Sequence, residues 1–266
     1  MLLTFFSVVV TIAIAPSGFC HSWVERLMKV ELNGTMVGEP GYIRGTISRL
    51  EPEFTDGIMQ SLLTRSSQPI CKGLQASRSY TPGFPPLKAR AGDFVALQYQ
   101  ENGHVTLLQN SPHKLGSGTV SVYGTSFPLE GDQLASVYGI WNSKGTGGDA
   151  RGRLLGTWNF DDGQCYQIND SKTSKKRQTS FQKHAKDPFG ADLWCQIDVR
   201  LPADISSWYT LYWVWDWPDV RPGPSKEIYT SCMDVEVLPG YCDGDIAFVE
   251  GQDLNFAAIK EQLSVL

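Results

Sequence analysis

The chain has 266 residues and a formal net charge of −5, with 41% hydrophobic and 19% charged residues. That balance is one of a folded globular protein rather than a disordered one, and the acidic sign gives no general attraction to nucleic acid. Twenty-six glycines and 15 prolines point to many turns between short elements.

Residues Met1 to Cys20 carry no charged side chain, and Leu2 to Ala15 is an almost unbroken apolar run ended by Pro16, Ser17 and Gly18. This is the layout of a secretory signal spanning 1–20, with cleavage leaving His21 as the first mature residue. The run lacks the usual basic start, but Pro16 to His21 spoil its end as a membrane span. No later segment is apolar enough to cross a bilayer. A secreted, extracellular protein without a membrane span in its mature chain is therefore expected.

Beyond His21 the dominant pattern is period-two alternation. Asp93 to Glu101 sets Val95, Leu97 and Tyr99 on one face. Thr119 to Tyr123, Leu154 to Phe160 and Leu193 to Val199 are shorter strand candidates. Trp208 to Trp217 places Tyr209, Leu211, Trp213, Trp215 and Trp217 on one face and Thr210, Tyr212, Val214 and Asp216 on the other. Tyr229 to Val237 alternates again. Turn signals at Asn102-Gly103, Gly116 to Gly118, Gly145 to Gly148, Asp162-Gly163 and Pro222 to Pro224 separate these runs. Short helical turns are expected between Thr46 and Leu63, a helix from Asp253 to Leu263, and a solvated loop at the basic cluster Lys172 to Arg177. The expected fold is all-β, an antiparallel immunoglobulin- or fibronectin-like sandwich with long loops and a short C-terminal helix. The division is one domain over 21–242 and a tail, 243–266.

Export removes Cys20 and leaves Cys71, Cys165, Cys195, Cys232 and Cys242. In an oxidising compartment an odd set implies two bridges and one leftover thiol. Sequence does not give the connectivity; Cys71–Cys232 with Cys165–Cys195, leaving Cys242 over, is the arrangement expected. Sequons at Asn33 and Asn169 fit secretion and a glycoprotein. Gly145 to Gly148 lacks the Lys-Ser/Thr ending of a phosphate loop, and no Gly-x-Ser-x-Gly nucleophile motif occurs. Asp161 and Asp162 are adjacent strand residues and point to opposite faces, which argues against a carboxylate pair for glycoside hydrolysis.

The chemistry resides in His21. At a mature N-terminus it owns both an α-amine and an imidazole, and Nδ1 with the amine closes a six-membered ring on one metal. The amine loses its proton to a metal near neutral pH, and an all-nitrogen set with a second imidazole favours copper. His104 follows a strand at the Asn102-Gly103 turn and is the preferred second ligand, with His113 next; His113 and His184 otherwise read as loop residues. Trp23 and Tyr42 are aromatics that could stack on sugar rings, with core packing as the default.

The N-terminal His-Ser-Trp, the Asn-Gly-His turn and Lys226-Glu-Ile-Tyr229-Thr-Ser-Cys232 together resemble the lytic polysaccharide monooxygenases, nearest to their fungal chitin-active group. The resemblance covers three short stretches and places the chain on an outlying branch. It implies a copper enzyme that oxidises glycosidic C–H bonds of a chitin- or cellulose-like polysaccharide, as a monomer with an external electron donor. It also implies that His21 and His104 hold copper, Tyr229 lies on its axial side and Glu227 stands behind. Two other readings compete: a copper-binding histidine-brace protein that performs no oxidation, and a cell-wall or surface protein whose N-terminal histidine is incidental.

Overall fold

The structure is a computed structural model that describes residues 21–31, 36–183, 190–220 and 227–239. The expected leader at 1–20, the Asn33 sequon, His184, Cys242 and the expected C-terminal helix lie outside the described residues.

Two sheets form the body. The strands are β1 (Val24–Val30), β2 (Met36–Gly41), β3 (Leu62–Leu63), β4 (Leu87–Ala89), β5 (Phe94–Tyr99), β6 (Thr119–Thr125), β7 (Gly152–Asn159), β8 (Cys195–Arg200), β9 (Ser207–Asp216) and β10 (Ile228–Val237). One sheet runs β2-β1-β5-β8 and the other β3-β10-β9-β6-β7, with β4 added beside β10. All pairings of these strands are antiparallel except β4 with β10, which is parallel. The expected all-β sandwich is therefore present, with that one departure from antiparallel order.

The alternation of β9 and β10 explains the core. Tyr209, Leu211, Trp213, Trp215 and Trp217 of 207–217 and Tyr229, Met233 and Val235 of β10 pack between the sheets. Burying each such large side chain contributes roughly 2–3 kcal/mol. On the opposite face of β9, Tyr212 and Val214 are buried as well. A second apolar layer covers them, built from Leu134, Val137 and Trp141 around the short helix α2 (Leu134–Val137).

Two local expectations met different outcomes. The helical turn in 46–63 is α1 (Asp56–Met59), preceded by Thr55, whose hydroxyl accepts from the Ile58 N–H at 3.3 Å. The basic cluster at Lys172 to Arg177, by contrast, is no loop: it forms α3 (Lys172–Ser180). Ser171 caps it by accepting from the Ser174 N–H at 3.1 Å, which satisfies a first-turn donor. Lys172, Lys175 and Lys176 are exposed, whereas Arg177 turns inward onto Asp161 at 2.7 Å.

Disulfides join Cys71 to Cys232 and Cys165 to Cys195, as expected. The Asn169 amide donates to Thr106 Oγ1 and to the Gln167 carbonyl, so a glycan there would replace at least one of these two donor hydrogens. Among the described residues no helix is long and apolar enough to cross a membrane.

Candidate metal centre

The pairing of β1 with β5 decides where His21 lies. Val24 sits opposite Tyr99, so residues 21–23 run beside the end of β5 and the turn that follows it. Three bonds fasten that run: Ser22 Oγ donates to the Gln100 carbonyl (2.8 Å), Val24 N–H to Ser231 Oγ (3.0 Å), and Asn102 Nδ2 to the His21 carbonyl (2.9 Å).

The turn itself needs its sequence. Asn102 and Gly103 have φ of 44° and 83°, a left-handed pair that Asn-Gly accommodates. The His104 N–H closes the turn on the Glu101 carbonyl at 2.7 Å. The buried Glu101 carboxylate then gathers the backbone N–H groups of Val105 (2.8 Å), Thr106 (3.2 Å) and Gln167 (2.8 Å), and the Thr106 hydroxyl as well. Ser117 Oγ donates to the His104 carbonyl at 2.9 Å. The position of His104 is thus fixed from both sides of its backbone.

The His104 ring is 3% exposed. It meets Trp217 edge-on with centroids 4.5 Å apart, and Trp215 at 5.1 Å. Its Nε2 is buried with no hydrogen-bond partner. Burial above all, with the neighbouring charges of His21 and Lys114, pulls its pKa down to about 3; a hydrogen bond with the His21 backbone opposes them. At neutral pH it is an uncharged imidazole, the form that ligates metals. His21 lies against it, with its own Nε2 placed 2.8 Å from Asp56 Oδ2 and its ring stacked 5.9 Å from Trp23. Trp23 is buried at 2% exposure, so it is a floor for His21 and not a platform for sugar.

Tyr229 and Glu227 form one unit. The buried Tyr229 stacks on Trp215 at 4.9 Å, and its hydroxyl donates to Glu227 Oε1 at 2.8 Å. The Lys114 ammonium donates to the other Glu227 oxygen and to the Trp217 carbonyl (2.8 Å), and lies 4.3 Å from the Trp217 ring centre. Trp215, Trp217 and Lys114 therefore link this unit to His104. His113 stands apart, its Nε2 3.8 Å from Asp219.

Asp56, Glu101 and Lys114 were not singled out from sequence. A carboxylate before an Asn-Gly turn was a usable signal for Glu101; nothing local marked the other two. The donor chemistry suits a metal that accepts neutral nitrogen, because a buried, partnerless imidazole nitrogen is otherwise a net cost. A second grouping, Asp162 with Cys165 and Cys195, does not fit a metal: the two sulfurs are bonded to each other, and Asp162 accepts from the N–H groups of Gln164, Cys165 and Gln196.

Fold and site together define a two-sheet β-sandwich with two histidines drawn together at one end of β5, one neutral and buried, the other held by a carboxylate. The chain belongs to the family described as Domain of unknown function (DUF7492), which matches residues 19–260. Comparison with curated proteins gives no match. Among solved structures, the chain is similar to a cellulose-active polysaccharide monooxygenase from M. thermophila, with 15% identity, 86% of this chain and 83% of that one covered, and a TM-score of 0.38. It is similar also to the extended catalytic domain of H. jecorina LPMO9A (13% identity, 89% and 79% covered, TM-score 0.36). A Bacillus amyloliquefaciens CBM33 in complex with Cu(I) follows at 11% identity, 62% and 63% covered, and a TM-score of 0.29. Similarity at this level assigns no residue and no activity.

Proposed function

We propose that the chain is exported, that processing exposes the α-amine of His21, and that this amine and the imidazoles of His21 and His104 hold one copper ion. The protein then acts outside the cell, as a monomer, in the oxidation of a chitin- or cellulose-like polysaccharide at a glycosidic C–H bond. One observation carries the reading: His104 Nε2 is buried, uncharged and without a partner beside His21. Such a nitrogen costs roughly 1–3 kcal/mol unless something binds it. Three nitrogens favour copper among the available metals.

Copper, when bound, supplies one-electron redox chemistry toward oxygen or peroxide, drawing on an external electron donor. The chain's own groups do the rest. Trp215, Trp217 and Phe160 keep water from the His104 ring. Lys114 and Tyr229 fix the two oxygens of Glu227, whose side chain remains 29% exposed and is assigned to hydrogen-bond the co-substrate. Tyr229, stacked on Trp215 with its hydroxyl engaged by Glu227, would hold that carboxylate in place beside the copper site.

The test is a Cu(II) titration followed by electron paramagnetic resonance on material whose N-terminus has been sequenced as His21. One copper per chain with a nitrogen-rich signal, lost in His104→Ala, is expected. With a reductant and chitin or cellulose, oxidised oligosaccharides should appear by mass spectrometry. Absence of stoichiometric copper binding rejects the proposal. A second reading is copper binding without polysaccharide oxidation. It is favoured by the scarcity of exposed aromatics: among the described residues only Phe127, on the loop after β6, is largely exposed, at 70%. Copper binding with no oxidised product across a broad panel would select it.

A further inference from the structure

The proposed site needs His21 to bind through one particular nitrogen, and the fold contains a device that selects it. A neutral imidazole carries its proton on one ring nitrogen and offers a lone pair from the other. Nδ1 can chelate together with the α-amine of the same residue; Nε2 points away from that amine. Asp56 Oδ2 lies 2.8 Å from His21 Nε2. A carboxylate only accepts, so the proton belongs on Nε2 and the lone pair on Nδ1. The opposite tautomer would set a lone pair against a carboxylate oxygen.

Asp56 is itself placed by its surroundings. It is the first residue of α1, directly after the Thr55 cap. Arg49 Nη1 lies 3.7 Å from its other oxygen, Oδ1. The same guanidinium sits 5.1 Å from the Trp23 ring, on which His21 stacks, and 4.9 Å from the Phe54 ring. Arg49 also pairs with Glu25, which accepts from Gln100 Nε2 at 2.7 Å. The segment from Arg49 to Asp56 thereby fixes the far side of the His21 ring, while Asn102 fixes its carbonyl.

We infer that Asp56 is a positioning residue of the proposed copper site: it orients the His21 ring and holds the proton on Nε2, leaving Nδ1 to the metal, and is not itself a ligand. The inference rests on the His21–His104 reading above. Carboxylate partners of ligating histidines commonly govern metal affinity by 10–100-fold when removed.

The experiment compares mature wild type, Asp56→Ala and Asp56→Asn, each with a sequenced N-terminus. Cu(II) affinity is measured by chelator competition, and the remote ring nitrogens of bound imidazole by electron spin-echo modulation. Asp56→Ala is expected to weaken binding about 10–100-fold and to shift one of two remote-nitrogen couplings. Asp56→Asn, which keeps an accepting oxygen but loses the charge, should show smaller changes in both. The metal-free thermal midpoint should stay unchanged, since the Asp56 side chain is 41% exposed. Variants with wild-type affinity and couplings would overturn the inference while leaving the site reading intact. A wild-type signal with a carboxylate oxygen replacing a nitrogen, lost in Asp56→Ala, overturns it as well. A wild type that binds no copper overturns the site reading, and this inference with it.

Discussion

Acid should unmask His104. In the native state its pKa is pulled down from 6.5 to about 3, by burial first and by the charges of His21 and Lys114 next. In the unfolded chain it titrates near 6.5. Between these values the unfolded state binds a proton that the native state refuses, so stability rises with pH there and falls as pH drops. The slope approaches 1.4 kcal/mol per pH unit for one group, giving roughly 5 kcal/mol over the whole window. Above the unfolded value both states are neutral and the contribution is flat. The assay is urea unfolding of the metal-free protein at successive pH values, for wild type and for His104→Gln, which cannot titrate. The difference in unfolding free energy between the two should change steadily from pH 6.5 downward. A difference that stays flat across that window would refute the reasoning, because the ring would then gain its proton as readily inside the fold as outside it.

Glu101→Gln sets an amide NH₂ against groups that all donate; we expect a loss of about 2–3 kcal/mol in urea unfolding, with weaker copper binding as the His104 turn loosens. Asp198 is the reverse of His104: burial raises its pKa from 3.8 to about 7, against the hydrogen bond from Gln196. Its native form keeps a proton that the unfolded chain releases, so stability is lost as pH rises through that interval. Asp198→Asn should therefore gain roughly 4 kcal/mol over wild type above pH 7 and nothing near pH 4, read from unfolding curves at both ends. The disulfides close spans of 161 and 30 residues. Loop-closure entropy puts their removal at about 5 and about 4 kcal/mol, so C71S/C232S should melt below C165S/C195S in a calorimeter.

What could be read from the sequence follows from how far each residue's partners lie along it. β9 and β10 were legible because ten-residue alternation is a local property, and Asp93 to Glu101 announced β5 in the same way. The same alternation is silent on what covers each face: Tyr212 and Val214 pack with the layer around α2, and nothing within β9 says so. β1 was missed because Arg26 and Lys29 interrupt its apolar residues; Arg26 is nevertheless buried, its Nε bonded to Gln98 at 2.6 Å. α3 was read as a loop because charge dominates Lys172 to Arg177, although Ser171 carried the capping signal. His21 and the Asn-Gly-His turn were visible as chemistry, one through the amine that processing would free, the other through turn geometry. Asp56 and Lys114 were not, since their partners lie 35 and 113 positions away.

The distribution of strain in the electrostatic sense is also informative. Most buried polar groups near His104 are well satisfied: Glu101 meets four donors, and both oxygens of Glu227 are bonded. A fold able to saturate those groups leaves His104 Nε2 without a bond and depresses its basicity at the same time. Both features cost stability, and a phenylalanine would fill the same space against Trp215 and Trp217 at neither cost. Each is, however, what a metal ligand requires: an available lone pair, and no proton to displace at neutral pH. Other buried side-chain atoms among the described residues also lack a bond, Tyr209 Oη and Trp213 Nε1 among them, but at His104 the unbonded nitrogen lies where His21, fastened by Asn102, is brought alongside. On the copper site proposed above, a shared ion would account for that coincidence.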